Sequence, residues 1–211
     1  MATLDVALVR SAPAGLTNNS QSLMTLDASG SLVVMDFFAK AILDGKGYQV
    51  RAGTITTPLT GDVLITDTAA EMCSDATAGH VMIPIFLQAD IEALGGTLPQ
   101  VTAKSVATVS SAGTAFVPLP LKSGGAAAVT TARVSAAGGV TVTAELATTT
   151  LRHYAKTMAV AGDVQAVWEP LRPPVLNGAR CFYVQVGSVT TGSTYFAHFD
   201  YLEFTSAQLG Q

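Results

Sequence analysis

The chain has 211 residues, 49% of them hydrophobic and only 12% charged, with eleven Lys and Arg against fifteen Asp and Glu for a net charge of −4. A chain of this length buries roughly 70% of the surface its unfolded form exposes, and its mean hydropathy of +0.42 excludes a charge-rich disordered chain. The longest clean apolar run, Val81 to Leu87, is far short of the roughly 20 residues of a membrane-spanning helix, and bases scattered singly from Arg10 to Arg180 offer no cluster to drive counterion release from a nucleic acid.

Residues 1–30 are polar and irregular, rich in Ser, Asn and Ala. We read them as an arm that orders only against a neighbour, ahead of a single domain over 31–211. An acid precedes the only base of the first ten residues and no uninterrupted apolar stretch leads to a cleavage site, so no secretory leader is expected. Asp36 is placed as an N-cap, Phe37 to Leu43 as a two-turn helix and Gly45 just beyond its end. Phe37, Phe38, Ala41 and Ile42 would then lid one end of a barrel-like core. The alternative is a strand continuing from Leu32 to Met35.

From there the chain is punctuated by glycine turn signals at short intervals, with Val, Thr, Ile, Phe and Tyr segments between them. That is the pattern of an all-β domain. In Val81 to Ile91, Val81, Ile83, Ile85, Leu87, Ala89 and Ile91 alternate onto one face, while Gln88 and Asp90 take the other. Pro84 has no N–H for a ladder, which predicts a sheet edge or a bulge there. Ala132 to Ser135 and Val140 to Leu146 read as a hairpin about Gly138-Gly139. Arg180 to Val186 and Thr194 to Phe204 read as a closing antiparallel pair, apolar in places on both faces. Such strands belong to a sandwich whose outer face is also covered.

Chemistry-bearing residues are few. Imidazole bases are limited to His80, His153 and His198, and there is no Gly-x-Ser-x-Gly elbow, so no enzyme activity is expected. His198 and Asp200 share a strand face, the spacing of the His-x-Asp part of a facial metal triad, but the third ligand is missing downstream, and we read His198 as a surface or partly buried residue beside Tyr195 and Tyr201. Asp90 and Glu92 form a same-face carboxylate pair, read here as the solvated side of a half-buried strand. Asp62, Asp67 and Asp75 lack calcium-loop spacing. No cofactor is expected, and no metal ligand set is legible. Cys73 and Cys181 match no CxxC spacing; we read them as reduced buried thiols, with one disulfide as the alternative. Trp168 stands beside Pro170, Pro173 and Pro174, either as a core anchor or as a stacking platform for sugar.

The run Gly47 to Thr60, the opening Val81-Met-Ile-Pro84 and the ending Thr191 to Ala197 with Tyr201-Leu-Glu203 resemble jelly-roll structural proteins of bacterial viruses. The resemblance implies an antiparallel β-sandwich, a jelly roll of about eight strands, that often assembles as a trimer and carries no active site. The expected function is therefore a structural subunit of a virus particle, a decoration, minor capsid or vertex protein assembled in the host cytoplasm. Its partners would be copies of itself, as a homotrimer, and other capsid proteins, without direct nucleic-acid contact. A chain poor in charge fits a surface largely covered by neighbours. The lack of a basic N-terminal arm speaks against a main shell that condenses a genome. The alternative is a receptor- or glycan-binding module of a phage fibre or spike. A third reading is a jelly-roll enzyme or metal-binding domain using His198, Asp200 and Asp90. Phe37, Phe38, Trp168 and Tyr195 are the candidate interface or ligand-contact residues.

Overall fold

The computed structural model describes residues 36–63, 68–95, 99–143, 150–158, 165–188 and 192–209. The arm assigned to residues 1–30 and the alternative strand before Asp36 lie outside them. The helix α1 spans Phe37–Leu43, as its caps predict. The Asp36 carboxylate accepts the N–H groups of Phe38 at 2.9 Å and Ala39 at 3.2 Å, two of the donors a first turn leaves without partners. Gly45, at φ +74°, turns the chain out of the helix.

Nine longer strands follow: β1 (Gly47–Ala52), β2 (Met72–Ala76), β3 (His80–Ala93), β4 (Gln100–Val106), β5 (Thr131–Val134), β6 (Thr150–Thr157), β7 (Gln165–Trp168), β8 (Arg180–Gly187) and β9 (Thr194–Thr205). One sheet runs β7-β3-β9-β1 and ends on the short strand Leu119–Pro120. The other runs β6-β4-β8-β2-β5 and ends on Thr114–Phe116. Their pairings are antiparallel. The protein is an all-β antiparallel sandwich with one short helix. Its core lies between the sheets, where Val50, Leu87, Ala89, Phe199 and Tyr201 from one meet Met72, Val101, Ala103, Phe182 and Val184 from the other. Phe182 sets its ring edge-on to Phe199 at 5.1 Å and stacks on Trp168 at 5.8 Å.

Both outer faces are covered in part, as the two-sided apolar strands predict. Ala41 of α1 packs with Val81, Ile83 and Leu202, so the helix lies on the outer face of the first sheet. It does not lid an end of the core, because its apolar stripe meets the outward residues of β3 and β9. A small third sheet, made of Ala69–Ala70, Val140–Thr141 and Ser111–Ala112, lies over the second sheet. There Ala70, Val140 and Val142 bury Cys73, Val106, Cys181 and Tyr183.

Strand β3 departs from simple alternation. Its register with β9 slips between Asp200↔Phe86 and Tyr201↔Pro84, leaving Ile85 as the extra residue of a bulge, and a one-residue insertion exchanges the faces taken by the residues on either side of it. Val81 and Ile83 therefore face the helix, whereas Leu87, Ala89 and Ile91 face the core. On the opposite edge of β3, Leu176–Asn177 pairs with Met82 and Val81 and β7 pairs with Leu87 through Asp90. Pro84 sits in the gap between those two partners, where no ladder bond is needed.

Two expected pairings do not form. β5 pairs with β2 and Thr114–Phe116, while Val140–Thr141 joins the third sheet, so Gly138-Gly139 connects two layers and does not close a hairpin. Residues 144–149 of that segment lie outside the described residues. β8 and β9 belong to different sheets and face each other through Phe182 and Phe199, because both offer bulky inward residues that only the opposite sheet can cover.

Candidate functional site

The residues singled out in the sequence fall in three different settings. Phe37 is 53% exposed, with its ring edge-on to Phe38 at 5.6 Å and stacked on Phe204 at 6.0 Å. Phe38 is half-buried against the cluster beneath α1. These two therefore sit on the molecular surface, where a neighbour can reach them. Trp168, by contrast, is 9% exposed and Tyr195 0%. Trp168 is sandwiched among His153 and Phe182, and Tyr195 lies in the central core. Stacking on a sugar needs a free ring face, which neither residue offers. Trp168 is thus the core anchor that the sequence reading offered, Tyr195 is core as well, and the assignment of the two as ligand contacts is corrected.

His198 and Asp200 do share a face, the outer one of the first sheet, next to Arg51 and Gln49 of β1. Their side chains are engaged separately. The His198 ring packs on Phe86 at 5.5 Å, and Asp200 Oδ1 accepts from Gln49 Nε2 at 2.9 Å. Burial raises the Asp200 carboxyl above its ordinary range, with Gln49 and His198 pulling the other way. Asp90 accepts from Gln88 Nε2 at 2.8 Å and Gln165 Nε2 at 2.8 Å, and Glu92 is exposed. This is the polar, solvated side of β3. His153 is turned inward at the β6 bulge, with Nε2 2.8 Å from Ser105 Oγ, and burial lowers its basicity. Asp67 lies outside the described residues. Asp62 sits at the Glu71 carboxyl and Asp75 at Ser110, so the two do not share a calcium loop.

Two buried carboxyls, Glu71 and Glu203, were not singled out as functional candidates in the sequence. Glu71, 1% exposed, accepts the Val186 N–H at 2.7 Å and the Asp62 N–H at 3.1 Å, and the Gly138 backbone also bonds it. Burial pushes its acid up to about 8 against these bonds, with the nearby Asp62 charge adding to the rise, because desolvation disfavours the charged form. Glu203 accepts from the backbone of Val129 and Thr130 and lies 3.2 Å from His80 Nδ1. Each carboxyl ties a crossing loop to the sandwich. Such single acids surrounded by backbone donors are fasteners, and nothing in their local sequence marks this role.

Large apolar side chains stand exposed on several sides. Val117, Leu119 and Val129 flank the edge where the chain crosses from one sheet to the other, and Leu171 is fully exposed in the proline-bearing loop after β7. Among the described residues no helix is long and apolar enough to cross a membrane. Searches against protein-family models, curated proteins and solved structures found no match.

Proposed function

We propose that this protein is a non-enzymatic structural subunit of a bacterial virus particle, packing as an oligomer on or in the capsid in a decoration, minor capsid or vertex role. The observation that carries this reading is the coincidence of a chain only 12% charged with exposed apolar side chains such as Phe37, Leu119, Val129 and Leu171. An isolated soluble domain has about twice that charge, and surfaces of this kind are covered in obligate assemblies. The antiparallel sandwich with both outer faces partly covered is compatible with the jelly roll that the sequence resemblance implies. Residues 1–30 would serve as an assembly arm, and a homotrimer is the expected unit.

The test is the mass of the purified chain by light scattering behind a sizing column. A stable trimer or larger closed assembly supports the reading, and charged replacements at Leu119 and Val129 should then dissociate it. A monomer at micromolar concentration overturns the obligate-assembly argument.

A further inference from the structure

Cys73 and Cys181, far apart in the chain, meet on neighbouring strands. In the antiparallel register of β2 with β8, Cys73 lies opposite Tyr183 and Cys181 opposite Asp75, so both thiols and the carboxylate project from the same face. All three side chains are buried, and a sulfur of each cysteine and an oxygen of Asp75 lie within 4.8 Å of one another. Both thiols are free.

The surroundings are built for charge. Ser110 fixes the carboxylate, donating its N–H to Asp75 Oδ1 at 2.9 Å and its hydroxyl to Oδ2 at 2.6 Å. Ser110 Oγ also lies 3.1 Å from Cys73 Sγ, which places a fourth donor atom against Cys73 and Asp75. Arg133 of β5 is directly opposite Cys73. Its Nε is 3.9 Å from Asp75 Oδ2 and is buried with no hydrogen-bond partner among the described residues. Lys104 is buried two strands away on the same face. The third sheet closes over the group with Ala70, Val140 and Val142.

We propose that Cys73, Cys181 and Asp75 form a buried structural site for a divalent zinc-like cation, with the Ser110 hydroxyl as the fourth donor. Two sulfurs with one or two oxygens are a donor set that zinc accepts in tetrahedral geometry. Binding replaces two thiol protons, which leave to solvent, so that two thiolates, a carboxylate and the dication sum to one negative charge. The Arg133 guanidinium beside Asp75 then offsets that charge. The ion would cross-link β2 and β8 and hold Ser110 and the third sheet to them.

The full chain is unfolded in urea with a chelator and a reductant, then refolded by dialysis with or without Co²⁺ or Zn²⁺. The expected result is about one cation per chain retained through dialysis, a thiolate-to-cobalt charge-transfer band with the visible bands of a tetrahedral site, and a raised melting temperature. The chain has only two Cys, so that band in the unmodified protein reports this pair without any variant. Cys73→Ser and Cys181→Ser should abolish it, and Asp75→Asn should weaken binding at least tenfold. Refolding with no retained metal and no charge-transfer band overturns the proposal, as does equal binding by Cys181→Ser.

Discussion

Replacing Glu71 by Ala removes an acceptor that one buried backbone donor and one half-buried one use. The Val186 N–H reaches Oε2 at 2.7 Å, and the Gly138 backbone bonds the same carboxyl. The Asp62 N–H has a second acceptor in Val186 O at 3.0 Å, so it is not orphaned. A buried donor left unsatisfied costs about 1–3 kcal/mol, and the half-buried Gly138 donor, which water can reach, costs less, so Glu71→Ala should cost about 2–4 kcal/mol, a large part of the 5–15 kcal/mol that holds a typical domain together. Glu71→Gln keeps one acceptor oxygen and resembles the protonated acid, so it should cost less, about 1–2 kcal/mol.

The same residue predicts a pH dependence. Its folded acid is raised to about 8 from an ordinary 4.5, so the folded chain holds this proton more tightly than the unfolded chain does. Its contribution is therefore most favourable below pH 4.5 and is lost as pH rises through 8. Urea denaturation at pH 5 and pH 8, followed by fluorescence of the single Trp, measures both effects. The wild type should lose on the order of 3 kcal/mol more than Glu71→Gln over that range. A cost below about 1 kcal/mol for Glu71→Ala, or parallel pH profiles for the wild type and Glu71→Gln, would refute the reasoning.

Two further substitutions probe the frame. Phe182→Ala opens the aromatic group joining Trp168, His153 and Phe199 and should cost about 3–5 kcal/mol; a loss within about 1 kcal/mol in the same urea assay would show that these rings do not form the centre of the core. A Cβ at Gly61 would stand 2.3 Å from the backbone oxygen of Val186, so Gly61→Ala should cost about 3 kcal/mol through forced backbone movement. Gly79, at φ +79° with open space around it, supplies the control, since Gly79→Ala meets only the left-handed backbone penalty of about 1 kcal/mol. Equal melting temperatures for the two variants would remove the steric argument.

How far the sequence could be read depends on how local each feature is. Helix α1 was legible to the residue because an N-cap, a short apolar stripe and a C-terminal glycine act within a few positions of one another. The strands were legible for the same reason: alternation and turn residues are local signals. Pro84 announced a disturbance in β3. It did not say that Ile85 would become the extra residue and send Val81 and Ile83 to the helix side. The partners of β5, β8 and β9 differ from the expected ones because adjacency in sequence favours a hairpin, whereas burial on both faces sends β8 and β9 to opposite layers.

Composition and residue order by themselves determined an all-β chain with one short capped helix, strands apolar on two faces, and a surface poor in charge. These features arise from backbone preference and side-chain chemistry, which act over a few residues. Tertiary structure alone decided that Trp168 and Tyr195 are core, that Glu71 fastens three segments, and that Cys73, Asp75 and Cys181 converge under a third sheet. Each of those depends on register between strands distant in the chain, and register is set by the collective packing of two sheets rather than by any segment's own pattern.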